Sequence, residues 1–177
     1  MPSIPRELRT ILDHSPLSGA ALSWMEPKDL PEPARQLLVH DADMTSALAH
    51  FHHSPISLRV LNLHHHDSLY LREVTLHATT SDAIVEYGLI AIHLGAFPAA
   101  LHPPILDGKT PLGAILNESQ LAYHSCPQGF FAIPHDALVE IFPASPTGGF
   151  CYGRYNHLVR DDETILARIL EILPDLP

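Results

Sequence analysis

The sequence predicts an α+β fold, in which helices come first and a body of strands, paired in one antiparallel sheet, follows. In the first third of the chain, apolar residues recur three or four positions apart, which is the spacing of one helical face. From residue 56 onward, apolar residues alternate with polar ones or form short runs, as they do in strands. The links between the first strands are too short to hold crossover helices, so these strands are expected to pair antiparallel.

Three helices are predicted near the N-terminus. The first covers 5–13, where a proline at the start suits the first helical turn. Residues 14–30 are expected to form a loop, because prolines and a glycine interrupt them. Two further helices are predicted at 31–39 and 43–53, and Asp43 is a suitable N-cap for the second of these.

The strand-rich body begins with strands predicted at 56–63, 70–77 and 83–92. Thr110 followed by a proline is a typical helix opening, which predicts a helix over 110–119. We expect the whole chain, 1–177, to form a single domain with 1–30 as an N-terminal helix and loop extension. The remaining predicted elements are strands at 119–125, 129–133, 150–160 and 164–173 and a short helix that Asp136 caps and that runs through Phe142.

Two charged residues are predicted to lie on the apolar faces of strands. Strand residues two apart point the same way, so Arg72 in LYLREVTL shares a face with Tyr70. In ILARILEIL, Glu171 shares a face with Ile169 by the same rule. A buried charge is costly unless a partner neutralises it. The two residues therefore indicate an internal cavity that receives a polar ligand, with a structural ion pair between Arg72 and Glu171 as the alternative.

The bulk composition narrows the class of protein. With 46% hydrophobic and 17% charged residues, this 177-residue chain is expected to be globular rather than disordered. The formal net charge of −10 argues against nucleic acid or an anionic membrane surface as a partner. Two cysteines without a CxxC pair, and an N-terminus without an apolar signal core, predict a reduced, cytoplasmic protein. The oligomeric state, monomer or homodimer, stays open.

Fourteen histidines raise the question of a metal site. His50 and His53 are three residues apart, so they can share a helical face. A metal site needs ligands that converge and partners that orient them, and the sequence has no HExxH motif. We therefore predict neither a metal nor an organic cofactor, and a metal-dependent enzyme built on the histidines is the weakest alternative.

Four ordered motifs resemble those of the chorismate lyase (chorismate–pyruvate lyase) family and its relatives. They are Asp43-Met44-Thr45 at an early helix, LREVTL, DGKTPLGAIL, and a closing hairpin of YGRYNHL followed by ILEILP. Together they span roughly residues 36–174. The resemblance implies a chorismate-lyase-like α+β fold with a closed internal ligand cavity and no cofactor.

The resemblance also implies roles for individual residues. In that family an arginine of the LRE strand holds the ring carboxylate, and a glutamate of the last strand meets the ring hydroxyl. These roles fall on Arg72 and Glu171, which become the candidate catalytic residues. Met44 and Leu112 are implied to line the aromatic ring; without the resemblance, both would be interpreted as ordinary core residues.

One departure from the family pattern concerns the charge of the substrate. The strand after LREVTL normally supplies a second arginine, and we place Tyr87 of VEYGLI at that position as a substrate-binding residue. Arg154 of YGR is then the remaining candidate cation for the second carboxylate, with a structural tie to a neighbouring loop as an equal alternative. Glu73 and Glu86 alternate away from the apolar faces and are expected to face solvent.

The function expected from these residues is that of a carbon–oxygen lyase in aromatic acid biosynthesis. It would eliminate pyruvate from chorismate, or a close enolpyruvyl analogue, and leave 4-hydroxybenzoate or a similar hydroxybenzoic acid. Arg72 can hold the ring carboxylate with two hydrogen bonds while Glu171 moves a proton. The partner would be a small aromatic or chorismate-like anion. The alternative is a non-catalytic module of the same fold that binds or senses an aromatic acid.

Overall fold

The computed structural model describes residues 3–143 and 148–176, and seven strands of these ranges form one antiparallel sheet. The order of the strands across the sheet is β1-β5-β6-β7-β4-β3-β2. The C-terminal strand β7 therefore lies inside the sheet, between β4 and β6. The strands are β1 (Ser23–Met25), β2 (Ile56–His66), β3 (Leu69–Ala78), β4 (Ala83–His93), β5 (Tyr123–Pro134), β6 (Phe150–Arg160) and β7 (Ile165–Leu173).

The helices pack on the faces of this sheet. Asp43 caps α3 as predicted, because its Oδ1 accepts a hydrogen bond from the Ser46 backbone N–H at 2.8 Å. None of the helices in the described part of the chain has the length and apolar character needed to span a membrane. The α-helices are α1 (Arg6–Leu12), α2 (Ala34–Leu38), α3 (Met44–Phe51), α4 (His102–Asp107) and α5 (Leu112–Ser119).

The predicted fold class, α+β around a single antiparallel sheet, is confirmed. Strands β2, β3 and β4 form one meander, and β5, β6 and β7 form a second. The two meanders join where β4 pairs with β7, with Gly88 opposite Glu171 and Ile90 opposite Ile169. This pairing brings the face of Arg72 and the face of Glu171 together, although 99 positions separate these residues in the chain.

Several local predictions were wrong. The predicted loop 14–30 contains β1, which pairs with β5. The two strands predicted at 119–125 and 129–133 are one strand, which continues through a bulge between Pro127 and Gly129. Helix α4 was missed in a proline-rich stretch that also holds two short 3₁₀ turns. The predicted caps fail as well, since Pro111 rather than Thr110 precedes α5, and Pro134 rather than Asp136 precedes a 3₁₀ turn.

The core is divided between the two faces of the sheet. On one face, α1 covers a cluster that includes Leu8, Tyr87 and Phe131. On the other face there are two clusters, one beneath α2 and α3 and one beneath α5. The cavity described below lies between these last two clusters, so its walls are parts of the hydrophobic core.

Candidate functional site

A cavity of about 60 Å³ lies between the sheet and the N-terminal ends of α3 and α5. Strands β3, β4 and β7 form its floor, and the two helix ends form its roof. Most of its walls are aliphatic, and three of its ionisable residues, Arg72, Glu86 and Glu171, come from three different strands. The lining residues are Asp43, Met44, Thr45, Leu58, Arg72, Val74, Leu76, Glu86, Gly88, Ile90, Pro111, Leu112, Gly113, Leu158, Ile169 and Glu171.

Arg72 is the cation of this cavity. It points from β3 into the cavity on the same face as Val74 and Leu76, as the alternation of the strand predicts. Its exposed fraction is 2%, and its Nε and Nη1 have no hydrogen-bond partner among the residues that the structure describes. Loss of solvation on burial lowers the pKa of the guanidinium to about 10. Arg72 therefore stays charged at neutral pH, with donors directed at no protein acceptor in the described ranges.

Glu171 does not pair with Arg72 but with Arg154. The two residues are directly opposite each other on β7 and β6, and Arg154 Nε donates to Glu171 Oε2. Arg154 is fully buried and also donates from Nη1 to the backbone carbonyls of Leu38 and His40, each at 3.1 Å. Arg154 does not line the cavity, and its contacts are those of the structural tie to a neighbouring loop. The proposed bridge between Arg72 and Glu171 is therefore wrong.

Glu86 was expected to face solvent, and that prediction was wrong. It is 4% exposed and lines the cavity, and its Oε2 has no hydrogen-bond partner within 3–143 and 148–176. Burial raises the pKa of Glu86 well above its usual 4.5, the negative charge of Glu171 raises it further, and Arg154 opposes the shift. Burial and the charge of Glu171 therefore favour the protonated carboxyl group of Glu86, the form that can donate a hydrogen bond.

Tyr87 was predicted to bind substrate, but it lies on the opposite face of the sheet. It belongs to the core cluster beneath α1, and its hydroxyl donates to Glu73 Oε1 at 2.7 Å. The prediction that Glu73 faces solvent is also wrong, since its exposed fraction is 5%. Strand β4 turns Glu86 and Gly88 toward the cavity in place of Tyr87. The second arginine that the family pattern calls for has no counterpart on this strand.

The roof of the cavity is held together by Asp43. Its Oδ2 accepts a hydrogen bond from Asn117 Nδ2 of α5 at 3.1 Å, while its Oδ1 caps α3. The two helix ends approach closely, since a β-carbon at Gly113 would lie 3.0 Å from Asp43 Oδ1. This packing places Met44 and Leu112 against the cavity, where the resemblance implied a ring-lining pair.

The size of the cavity limits what fits into it without movement. A volume near 60 Å³ holds a few water molecules, whereas a cavity that binds benzene has about 150 Å³. A benzoate therefore requires the walls to move apart. Met44 is suited to such a movement, because its unbranched side chain has three rotatable bonds.

The histidines do not converge on a metal-binding arrangement. Across residues 3–143 and 148–176, no three side chains of His, Cys, Asp or Glu are placed to hold a metal ion. The tract His64–His66 lies in the edge strand β2 and is exposed. His50 and His53 pack edge to face, with their ring centroids 6.3 Å apart.

Comparison with known proteins supports the fold rather than an activity. Neither a family model nor a curated protein matches the sequence. Among solved structures, PhnF from Mycobacterium smegmatis is similar, with a TM-score of 0.58 at 10% sequence identity. The likeness covers 77% of this chain but 65% of the PhnF chain, which is less than two thirds of its length. It shows a chorismate-lyase-like α+β fold, and the activity of this chain has to be inferred from its own residues.

Proposed function

We propose that the protein binds a cyclic, hydroxybenzoate-type carboxylic acid in the cavity between the sheet and helices α3 and α5. The observation that carries the proposal is the buried guanidinium of Arg72, with two donor nitrogens that no described protein group accepts from. A carboxylate accepts hydrogen bonds from this guanidinium and neutralises the buried charge. The aliphatic walls suit the apolar ring of such an acid.

The charges around the cavity favour a ligand with one negative charge. Arg72 is the one Lys or Arg among the described residues that line it, and Glu86 and Glu171 are the acidic groups on its floor. A second carboxylate on the ligand would meet these acids without a free cation nearby. A monocarboxylate fits this arrangement better than a dianion such as chorismate.

Elimination of pyruvate from chorismate is the second candidate function. The observation in its favour is the buried carboxyl group of Glu86, whose protonated form is favoured, in the same largely aliphatic cavity as Arg72. Such a reaction also needs a cation for the enolpyruvyl carboxylate. Arg154 is the nearest source, because its Nη2 is buried with no partner in the described part of the chain, and it would have to turn toward the cavity.

Two measurements on the purified protein test these functions. Calorimetric titration with 4-hydroxybenzoate at pH 7 is expected to show binding, which Arg72→Met abolishes. Arg59→Met is the matched control, since Arg59 lies exposed on the neighbouring strand β2 and pairs with Asp82. Incubation with chorismate then separates the two candidates: release of pyruvate and 4-hydroxybenzoate supports the lyase, and binding without release supports a binding protein. Absence of both contradicts the proposal.

A further inference from the structure

We infer that Glu86 is the second ligand-binding group of the cavity and that its carboxyl group donates a hydrogen bond to a hydroxyl or carbonyl oxygen of the ligand. This inference rests on the proposed function, because it assumes that Arg72 holds the carboxylate of the same molecule. It assigns the polar end of the ligand to a residue outside the four motifs of the sequence.

The position of the Glu86 side chain supports this role. A β-carbon at Gly88 would lie 3.3 Å from Glu86 Oε1, so the Glu86 carboxyl lies over the backbone of Gly88, in the middle of the cavity floor. The absence of a side chain at Gly88 leaves the space that this carboxyl occupies. Its other oxygen, Oε2, is buried and has no partner among the residues described. An unpaired buried oxygen costs free energy, which a ligand oxygen recovers.

The register of the sheet attaches the two residues at different points of the cavity floor. Arg72 is opposite Ile90 and Glu86 is opposite Leu76, so their backbone positions are four residues apart along the strands, about 13 Å. Between them lie the apolar Val74 and the bare backbone of Gly88, which also line the cavity. A ring with a carboxylate on one side and an oxygen on the other can meet both groups at once.

The surroundings of Glu86 favour its protonated form. Burial raises the pKa of Glu86 most strongly, the negative charge of Glu171 on β7 raises it further, and Arg154, paired with Glu171, acts in the opposite direction. Arg72 from β3 and Asp43 from α3 also line the cavity, and among the described residues Arg72 forms no ion pair with Glu86. The repulsion from Glu171 increases if Glu86 ionises, which favours a ligand that accepts a hydrogen bond over one that brings a second charge.

The test compares 4-hydroxybenzoate with benzoate, which lacks the hydroxyl group, by calorimetric titration at pH 7. The wild-type protein is expected to bind 4-hydroxybenzoate about tenfold more tightly than benzoate, the effect of one hydrogen bond in a buried site. Glu86→Leu should reduce this preference to less than about twofold, because leucine cannot donate. Glu86→Gln should retain most of it, because the amide N–H still donates. Equal affinities in the wild type, or a preference that persists in Glu86→Leu, would overturn the inference.

The outcomes also separate this inference from the proposed function. If both acids bind equally and Arg72→Met abolishes both, Arg72 binds carboxylates and the role of Glu86 is wrong. If neither acid binds to the wild type, both the function and the inference fail. Infrared spectroscopy supplies a readout that needs no ligand: a protonated-carboxyl band at pH 7 should disappear in Glu86→Gln. Absence of that band in the wild type would overturn the inference.

Discussion

Replacing Arg72 by methionine is expected to stabilise the ligand-free protein while abolishing ligand binding. Arg72 carries a buried charge without a described partner, and the fold therefore bears its loss of solvation until a ligand binds. Methionine keeps much of the length of the side chain and removes the charge. A residue that lowers stability and sits in a cavity is the pattern expected of a binding group rather than a structural one.

The size of the effect follows from the shift in the pKa of Arg72. The pKa falls from its ordinary 12.5 to about 10, and each unit corresponds to about 1.4 kcal/mol, which gives a cost of about 3 kcal/mol. Because methionine will not fill the space as well as arginine does, we expect a gain in the free energy of unfolding of about 1–3 kcal/mol. For a chain of this size, each kcal/mol raises Tm by about 2–4 °C.

Urea denaturation of the ligand-free protein at pH 7, followed by circular dichroism, measures this gain. Arg154→Met is the informative comparison, because Arg154 is equally buried but paired with Glu171. Its loss leaves an unpaired buried carboxylate and should cost about 3–5 kcal/mol. The reasoning is refuted if Arg72→Met is less stable than the wild type, since Arg72 would then contribute to the fold as Arg154 does.

Three further predictions concern the roof of the cavity and the sheet beneath it. Because the pKa of Glu86 is raised above 4.5 in the folded state, the folded protein holds this proton more tightly than the unfolded chain does. The free energy of unfolding of the wild type should therefore fall as pH rises above 4.5, by up to about 1.4 kcal/mol per pH unit. Glu86→Gln should lack that fall when urea denaturation is measured across pH. Gly153→Ala should lower the free energy of unfolding by about 3 kcal/mol or more in thermal denaturation, because its β-carbon would lie 2.6 Å from the backbone carbonyl oxygen of Glu171. Gly88→Ala should cost less, because the closest atoms to its β-carbon, at 3.2–3.3 Å, belong to side chains. Equal costs would contradict this ranking. Asp43→Ala removes the cap of α3 and the bond to Asn117, and a loss of about 1–2 kcal/mol in urea denaturation is expected; an unchanged stability would show that the roof does not depend on this carboxylate.

The sequence was informative where one face of a strand differs from the other. In β3 the alternation placed Arg72 with Val74 and Leu76, and all three line the cavity. The strands β6 and β7 were also predicted close to their observed bounds, because a short polar turn separates two long apolar segments.

Strand β4 shows why the remaining site residues were missed. Every residue from Val85 to Ile92 is buried, so the apolar run does not reveal which face meets the cavity. Tyr87 and Glu86 are neighbours on opposite faces, and a shift of one residue exchanges them. Arg72 is opposite Ile90, and Glu86 lies on the same face of β4 as Ile90, so this pairing identifies Glu86 as a cavity residue. The turn between the strands does not reveal the pairing, because a bulge between Leu76 and His77 shifts the register by one residue. The partner of Glu171 was missed for a similar reason, because a register shift between Leu158 and Val159 places Arg154, rather than its neighbour, opposite Glu171.

The small volume of the cavity also has a consequence for kinetics. A space that holds only a few waters must widen before a ring can occupy it, so each association event includes a step in which the roof opens, through the Met44 side chain or the ends of α3 and α5. If this opening is slower than diffusion, the observed association rate reaches a plateau at high ligand concentration, and the plateau equals the opening rate. Substitutions at the contact between α3 and α5, remote from the bound carboxylate, would then alter residence time more than they alter selectivity among aromatic acids.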